Sequence, residues 1–539
     1  MLPNLEYLNL SRNALQGGIP SSIGDISQLW QLDLSSNNFS REIPEHLAVG
    51  CVTLQVLKLS NNSLRGQIFP AFNSSWLEYL YLDNNKFTGE ILDGISKCLI
   101  LKALNIGNNY IFGRVPSWLG NLKLLRTLVM RNNSLEGQIP KQISKLYKLA
   151  FFDLSQNNLS GSIPSWLNLP NLRYIHLQGN GFSGSIPKSV LNNSYLITFD
   201  IRDNYLSGSI PDSDGALSNL RILLLRGNQL NGPIPSHLCQ LSKIGIMDLS
   251  HNTFSGSIPP CFSNIAFGRI SATEHAFMQE SMGTGILRSL RSYTYGNQLG
   301  KEISSVSIYQ EFNEQEEVEF ITKSMSSSYK GDILNLMSGL DLSCNHLTGD
   351  IPREIGKLSE VRALNLSHNH LTGSIPENLS NLKQIESLDL SHNKLSGGVP
   401  SELTGLYYLA VFTVSYNNLS GKTPDMEAQF GTFSNTSYEG NPFLCGPPLE
   451  KNCTTVESRH TKIEPYNEGR EDKFDIDFAV FYASFTASYM IFLLGFAALL
   501  YINPYWRRMW FDLIDTCIHS CFRFVSKSLY KLLAFRVCN

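Results

Sequence analysis

Charge is scarce in this chain and nearly cancels. Charged residues make up 17% of 539 positions, 43 basic against 46 acidic, for a net charge of −3. Such a balance excludes the broad basic field that nucleic-acid binding requires. Ten cysteines over this length are too thin for a small disulfide scaffold. Forty glycines and 23 prolines are ordinary usage, which excludes a collagen-like or low-complexity chain. Catalytic signatures are missing too. There is no glycine-rich loop with V-A-I-K, H-R-D and D-F-G, no H-E-x-x-H and no nucleophile elbow. Catalysis, a metal site and a cofactor are therefore not expected. Met1-Leu2-Pro3-Asn4 has neither a basic n-region nor an apolar h-region, so no signal peptide is expected at this end. The length exceeds one ordinary core and suits several domains or one extended array.

What is present is periodic. Asparagine recurs at Asn13, Asn37, Asn62, Asn85, Asn109, Asn133, Asn157, Asn180, Asn204, Asn228 and Asn252, and again at Asn345, Asn369, Asn393 and Asn417. The frame is L-x-x-L-x-L-x-x-N-x-L-x-G-x-I-P, clear at Leu220, Leu223, Leu225, Asn228, Leu230, Gly232, Ile234 and Pro235. This is a leucine-rich repeat, eleven copies over 1–265 and four over 333–424. The x-x-L-x-L stretch predicts a short strand that buries its leucines and shows the intervening residues to solvent. The asparagine is expected to satisfy backbone groups inside the coil, and stacked coils to share one core.

Between the two runs, 266–332 loses the frame and reads as an inserted island. It carries an acidic run, Glu311, Glu314, Glu316, Glu317 and Glu319, overlapping a strand-like Val318 to Thr322. After Pro424, residues 425–453 are expected to cap the open end of the array. Cys445 and Cys453 are spaced for a disulfide there, and Cys239 and Cys261, about one coil apart, for a second. Cys51 and Cys98 share a frame position two coils apart and are expected to be buried thiols. An acidic stalk, 454–477, follows. Residues 478–502 contain no charge and would reach roughly 37 Å as a helix, enough to cross a bilayer. The tail 503–539 has six basic and two acidic residues, so it is expected in the cytoplasm, with the repeats outside the cell.

Site residues are sought where the strand face departs from the common Asp and Ser. The departures are Tyr79, Tyr81 and Asp83; Thr127, Val129 and Arg131; Tyr174, His176 and Gln178; Asp200 and Arg202; Leu224 and Arg226. Of these, Tyr79, Tyr81, Asp83, Arg131, Tyr174, His176, Arg202 and Arg226 are the candidate ligand contacts, because aromatic and arginine side chains anchor interfaces. His251, His368 and His392 share one exposed frame position and are read as solvated surface. Sequons at Asn38, Asn61, Asn73, Asn132, Asn158, Asn192, Asn378, Asn418 and Asn435 are expected to carry glycans, leaving a sequon-free stretch between Asn192 and Asn365 open to protein contact.

The order of repeats, island, four further repeats, cap with Leu444-Cys445-Gly446-Pro447-Pro448, acidic stalk, span and tail Tyr501-Ile502-Asn503-Pro504-Tyr505-Trp506-Arg507-Arg508 resembles a plant leucine-rich-repeat receptor-like protein, similar to the kind that perceives fungal ethylene-inducing xylanase. That resemblance implies an α/β-type solenoid, a plant-type superhelix with an island, a Cys-stapled cap and one transmembrane helix. It also implies a single-pass type I protein of the plasma membrane. Family members begin with a signal peptide and a Cys-paired cap, so this chain resembles an N-terminally truncated copy. The implied function is non-catalytic. An extracellular protein or peptide ligand would be bound, and defence signalling would pass through a co-receptor kinase and an adaptor receptor-like kinase. Lys323 and Tyr329 match a Lys-x5-Tyr motif that the family uses near its co-receptor contact. A developmental receptor for an endogenous peptide, or a non-signalling decoy, remains open.

Overall fold

The computed structural model describes residues 4–68, 75–212, 217–265, 267, 316–323 and 325–453. Contacts divide the chain into units 1–455 and 456–539, and every described residue lies in the first. The expected stalk, span and tail lie outside the described residues. No helix among the described residues is long and apolar enough to cross a membrane.

Fifteen three-residue strands, from Tyr7–Asn9 to Val411–Thr413, form one parallel sheet in chain order. The apolar residue at each strand centre aligns with those of its neighbours. Phe199, for example, occupies the central position between Ile175 and Leu223, so the frame tolerates any large apolar side chain there. A second parallel sheet of thirteen strands, Gln16–Gly17 to His370–Thr372, runs along the adjacent side. The strand Ile246–Asp248 pairs directly with Gly339–Asp341, so the island leaves the array between two consecutive coils without breaking their register.

The third side is made of 3-10 turns such as Ser117–Asn121 and Ser236–Gln240, and among the described residues only Glu45–Gly50 and Lys188–Leu191 are α-helical. The α/β-type expectation therefore needs correcting in this respect. A proline in extended conformation precedes most of these turns, for example Pro116 and Pro235. A coil of 23 to 25 residues leaves room for little more than one turn before the next strand.

The core is the stacked leucine frame, with Leu220, Leu223, Leu225, Leu230 and Ile234 all buried. Asn228 shows how the turn is satisfied. Its Nδ2 donates to the carbonyls of Leu225 and Ile201 at 3.0 Å, and of Arg226 at 3.3 Å. Its Oδ1 accepts from the Leu206 amide at 3.0 Å. One side chain thus serves backbone groups in two coils that would be costly to bury unpaired. Gly232, four residues on, has φ +79°, which a side chain rarely adopts.

The ladder runs one coil beyond the fifteen copies that the frame shows. Asn441 donates to Val414 and Tyr438 carbonyls at 3.0 Å and accepts from the Leu419 amide, inside the cap. There Phe412, Phe430, Phe433 and Tyr438 close the core, with the Phe412 and Phe430 rings 5.0 Å apart. Burial pushes the Tyr438 hydroxyl up to about 12. The strand Phe443–Cys445 pairs with Asn418–Lys422, and Cys445 is bonded to Cys453. Cys239 is bonded to Cys261, joining the turns of two successive coils.

Candidate functional site

Part of the island folds back on the array. Glu317–Thr322 and Met325–Lys330 form an antiparallel hairpin, with Glu317 opposite Lys330 and Thr322 opposite Met325. Val318 and Phe320 alternate inward and are buried. They pack with Ile222, Leu224, Ile246, Leu334 and Ala363, residues of the strand sheet and its neighbour turn. The hairpin therefore lies across the strand face, and Gly339 makes room for it. A Cβ at Gly339 would stand 2.5 Å from the Phe320 ring.

Polar contacts fasten the same hairpin. Arg131 Nη1 is 3.4 Å from Glu317 Oε2, and the Thr198 hydroxyl bonds the Glu316 carboxylate. Arg202 Nη1 donates to the Glu319 carbonyl at 2.6 Å. At the turn, Lys323 Nζ is 2.7 Å from Glu386 Oε2, while Arg362 holds the other oxygen of Glu386 at 2.6 Å. Coils as far apart in the array as those of Arg131 and Glu386 thus meet one short insert.

This arrangement corrects the expected exposure of several candidate residues. Tyr174, His176 and Arg202 are buried at 8%, 2% and 3% exposure. Arg202 also forks onto Asp200, with Nε 2.9 Å from Oδ1 and Nη2 2.7 Å from Oδ2. Phe151 packs against both Tyr174 and His176, its ring centroid 5.3 and 5.5 Å from theirs. Tyr81 is buried as well, with Lys58 Nζ 5.9 Å from its ring centroid. Tyr79, Asp83, Arg131 and Arg226 are half-buried. Asp83 accepts from Ser60 and Asn84 at 2.6 Å, and Arg226 Nη2 lies 3.7 Å from Asp203. Of the two motif residues, Lys323 is exposed and Tyr329 half-buried, its hydroxyl 3.1 Å from that of Thr322.

The common Asp and Ser positions are not open either. Asp153, Asp200, Asp248 and Asp341 are buried. In Asp248 and Asp341, Oδ1 accepts from the amide and hydroxyl of the serine two residues on. These two carboxylates stand on paired residues of adjacent strands. Burial first, and Asp248 second, push Asp341 up to about 7.

Asn38, Asn61, Asn132, Asn158, Asn378, Asn418 and Asn435 are exposed. Asn192 is half-buried at the end of Lys188–Leu191, with its Oδ1 buried. Asn73 lies outside the described residues. Cys51 and Cys98 are buried thiols outside any disulfide, and burial pushes both up to about 11. No group of three His, Cys, Asp or Glu side chains among the described residues could hold a metal ion.

A parallel strand-faced solenoid with an insert docked on that face defines a stacked repeat protein. The leucine-rich-repeat profiles match residues 1–39 and 335–395, and eight further segments from 53–75 to 244–265. The chain is 61% identical over 209 residues to Cuscuta receptor 1 of Solanum lycopersicum, covering 39% of this chain and 19% of that protein. It is 49% identical over 276 residues to Receptor-like protein 1 of Arabidopsis thaliana, covering 50% of this chain and 25% of that one. The chain therefore spans about a fifth to a quarter of the length of these relatives. Among solved structures it resembles the plant peptide hormone receptor RGFR1 in complex with RGF2, with a TM-score of 0.58 and 27% identity over 82% of this chain and 67% of that one. The chain belongs to the leucine-rich-repeat proteins, and in the matched segments it is similar to plant receptor-like proteins.

Proposed function

We propose that the chain is the ligand-recognising part of a non-catalytic cell-surface receptor. The observation that carries this reading is the docked hairpin, which combines strand-face residues and island residues into one surface. Arg131 with Glu317, and Lys323 with Glu386, mark its two ends. The solved structure of RGFR1 with RGF2 supports a peptide or protein ligand for an array of this kind. The half-buried Tyr79, Asp83, Arg131 and Arg226 are the proposed ligand contacts, and the buried Tyr81, Tyr174, His176 and Arg202 line the same strand face. Lys323 and Tyr329 are the proposed contact for a co-receptor kinase, and an adaptor kinase associates through 454–502. The repeats face the cell exterior and carry glycans at the exposed sequons. The microbial ligand of a defence receptor is favoured by the resemblance to the xylanase-perceiving kind.

The test uses the full chain, expressed in plant cells behind a supplied signal peptide, with purified fungal ethylene-inducing xylanase and RGF2 as probes. Lys323→Ala with Tyr329→Ala should abolish probe-induced pull-down of a co-receptor kinase while leaving probe binding intact. Retained pull-down in the double variant removes the assignment of the pair. Peptide-N-glycosidase should lower the apparent mass, and an unchanged mass would count against the extracellular orientation.

A further inference from the structure

Each turn places the residue before the ladder asparagine in the left-handed region, and this position forms a column along the array. In the last coils the column reads His251, Cys344, His368, His392 and Tyr416, with φ between 50° and 53°. Backbone bonds fix it: the amides of His368 and His392 donate to Ser391 and Ser415, and their carbonyls accept from Asn345 and Asn369. The His368 and His392 rings stack with centroids 4.1 Å apart at 12°, and His392 and Tyr416 at 4.4 Å and 15°. The residue after the ladder asparagine forms a second column, His346, His370 and Lys394, where the two imidazoles are 5.8 Å apart. His251, His346, His368, His370, His392 and Lys394 are all exposed.

We propose that this two-column histidine patch is a docking surface for an acidic peptide segment of a partner protein, engaged when the imidazoles are protonated. The site is separate from the hairpin and does not depend on the proposed ligand face. Its charge supports the choice of partner. Five imidazoles and one ammonium occupy the two columns, and no Asp or Glu stands in them between His251 and Asn418. The groups facing the patch are Cys344 and Tyr416 within the first column, Asp341 and Asp389 on the strands before Cys344 and His392, and Asp350 beyond His346. Against these three carboxylates stand five imidazoles and one ammonium, so the protonated patch keeps a positive excess. Sequons occupy the same columns in other coils, at Asn38, Asn61, Asn132, Asn158 and Asn418, but none stands in them between His251 and Lys394.

Imidazole is the side chain whose charge changes between pH 5 and 8. Partial burial and then the neighbouring His368 hold His392 below the ordinary imidazole value. Below that range the patch gains cations on rigid backbone at strand spacing, and a run of carboxylates is then attracted to it.

The purified full chain is titrated with fluorescein-labelled decaglutamate at pH 5.5 and 7.5, reading anisotropy. Binding at pH 5.5 should be at least about tenfold tighter and should weaken with salt. His368→Gln with His392→Gln should remove most of that difference, while His46→Gln, outside the patch, should not. Equal binding at the two pH values, or no binding at either, would overturn the proposal. So would an undiminished pH effect in the double variant, provided its thermal unfolding matches the parent. A variant that unfolds early is replaced by His346→Gln with His370→Gln, read in the same way. Binding of a uronate oligosaccharide without decaglutamate binding would overturn the peptide assignment.

Discussion

Arg202 donates from Nη1 to the backbone carbonyl of Glu319, 117 residues along the chain, at 2.6 Å. The same guanidinium holds Asp200 through its other two nitrogens. A strand-face arginine is thereby turned from a surface group into a fastening between the array and the island. Its burial reverses the consequence of removing it, because an exposed arginine could be lost at little cost and this one cannot.

Arg202→Ala should accordingly destabilise the protein by about 3–5 kcal/mol, since it leaves the Asp200 carboxylate buried without its partner. Chemical denaturation measures the loss. Hydrogen exchange should also rise across Glu317–Lys330, and an unchanged exchange pattern there would show that the arginine does not fasten the hairpin.

Gly339→Ala tests the hairpin from the other side. The added Cβ meets the Phe320 ring at 2.5 Å, so the ring or the hairpin must move. Overpacking of this kind costs about 1–3 kcal/mol. Faster proteolysis within the hairpin, with the rest of the array resistant, is the expected reading; equal proteolysis of variant and parent would argue against close packing here.

The Asp248 and Asp341 pair predicts a stability that falls as pH rises. Asp341 stands at about 7 in the folded chain against an ordinary 3.8, so between those values the folded state holds a proton that the unfolded state has released. The stabilisation is present below the lower value and is lost as pH rises through the upper one. Asp341→Asn should flatten this dependence and leave the variant more stable than the parent at pH 8. Asn365, one coil on, already accepts from Ser367 in the same way, at 3.1 Å from the amide and 2.8 Å from the hydroxyl. Urea midpoints at pH 5 and pH 8 decide it, and a parent with equal midpoints would contradict the assignment.

Asn228→Ala removes three donated bonds and one accepted bond from buried backbone groups. At about 1–3 kcal/mol for each unsatisfied group, the loss should exceed that of an ordinary surface substitution several-fold. A urea midpoint within error of the parent would mean that water or backbone movement replaces the ladder.

The sequence by itself determined the coil. Leucine spacing, the ladder asparagine and the glycine before Ile-Pro act within one repeat and its neighbours, so the strands, their order and the restart after the island could be read from the period. The tertiary structure alone decided which strand-face positions meet solvent. Tyr174, His176 and Arg202 have the frame position of surface residues; Asp200 in the same coil holds Arg202, but Phe151 in the coil before Tyr174 and His176, and a hairpin more than a hundred residues downstream, cover them. The histidine columns divide the same way. Their exposure follows from the frame, but the stacking of His368 on His392 and Tyr416 exists only because successive turns are held one strand spacing apart. A local period fixes local geometry, whereas occlusion and stacking depend on what the folded chain brings alongside.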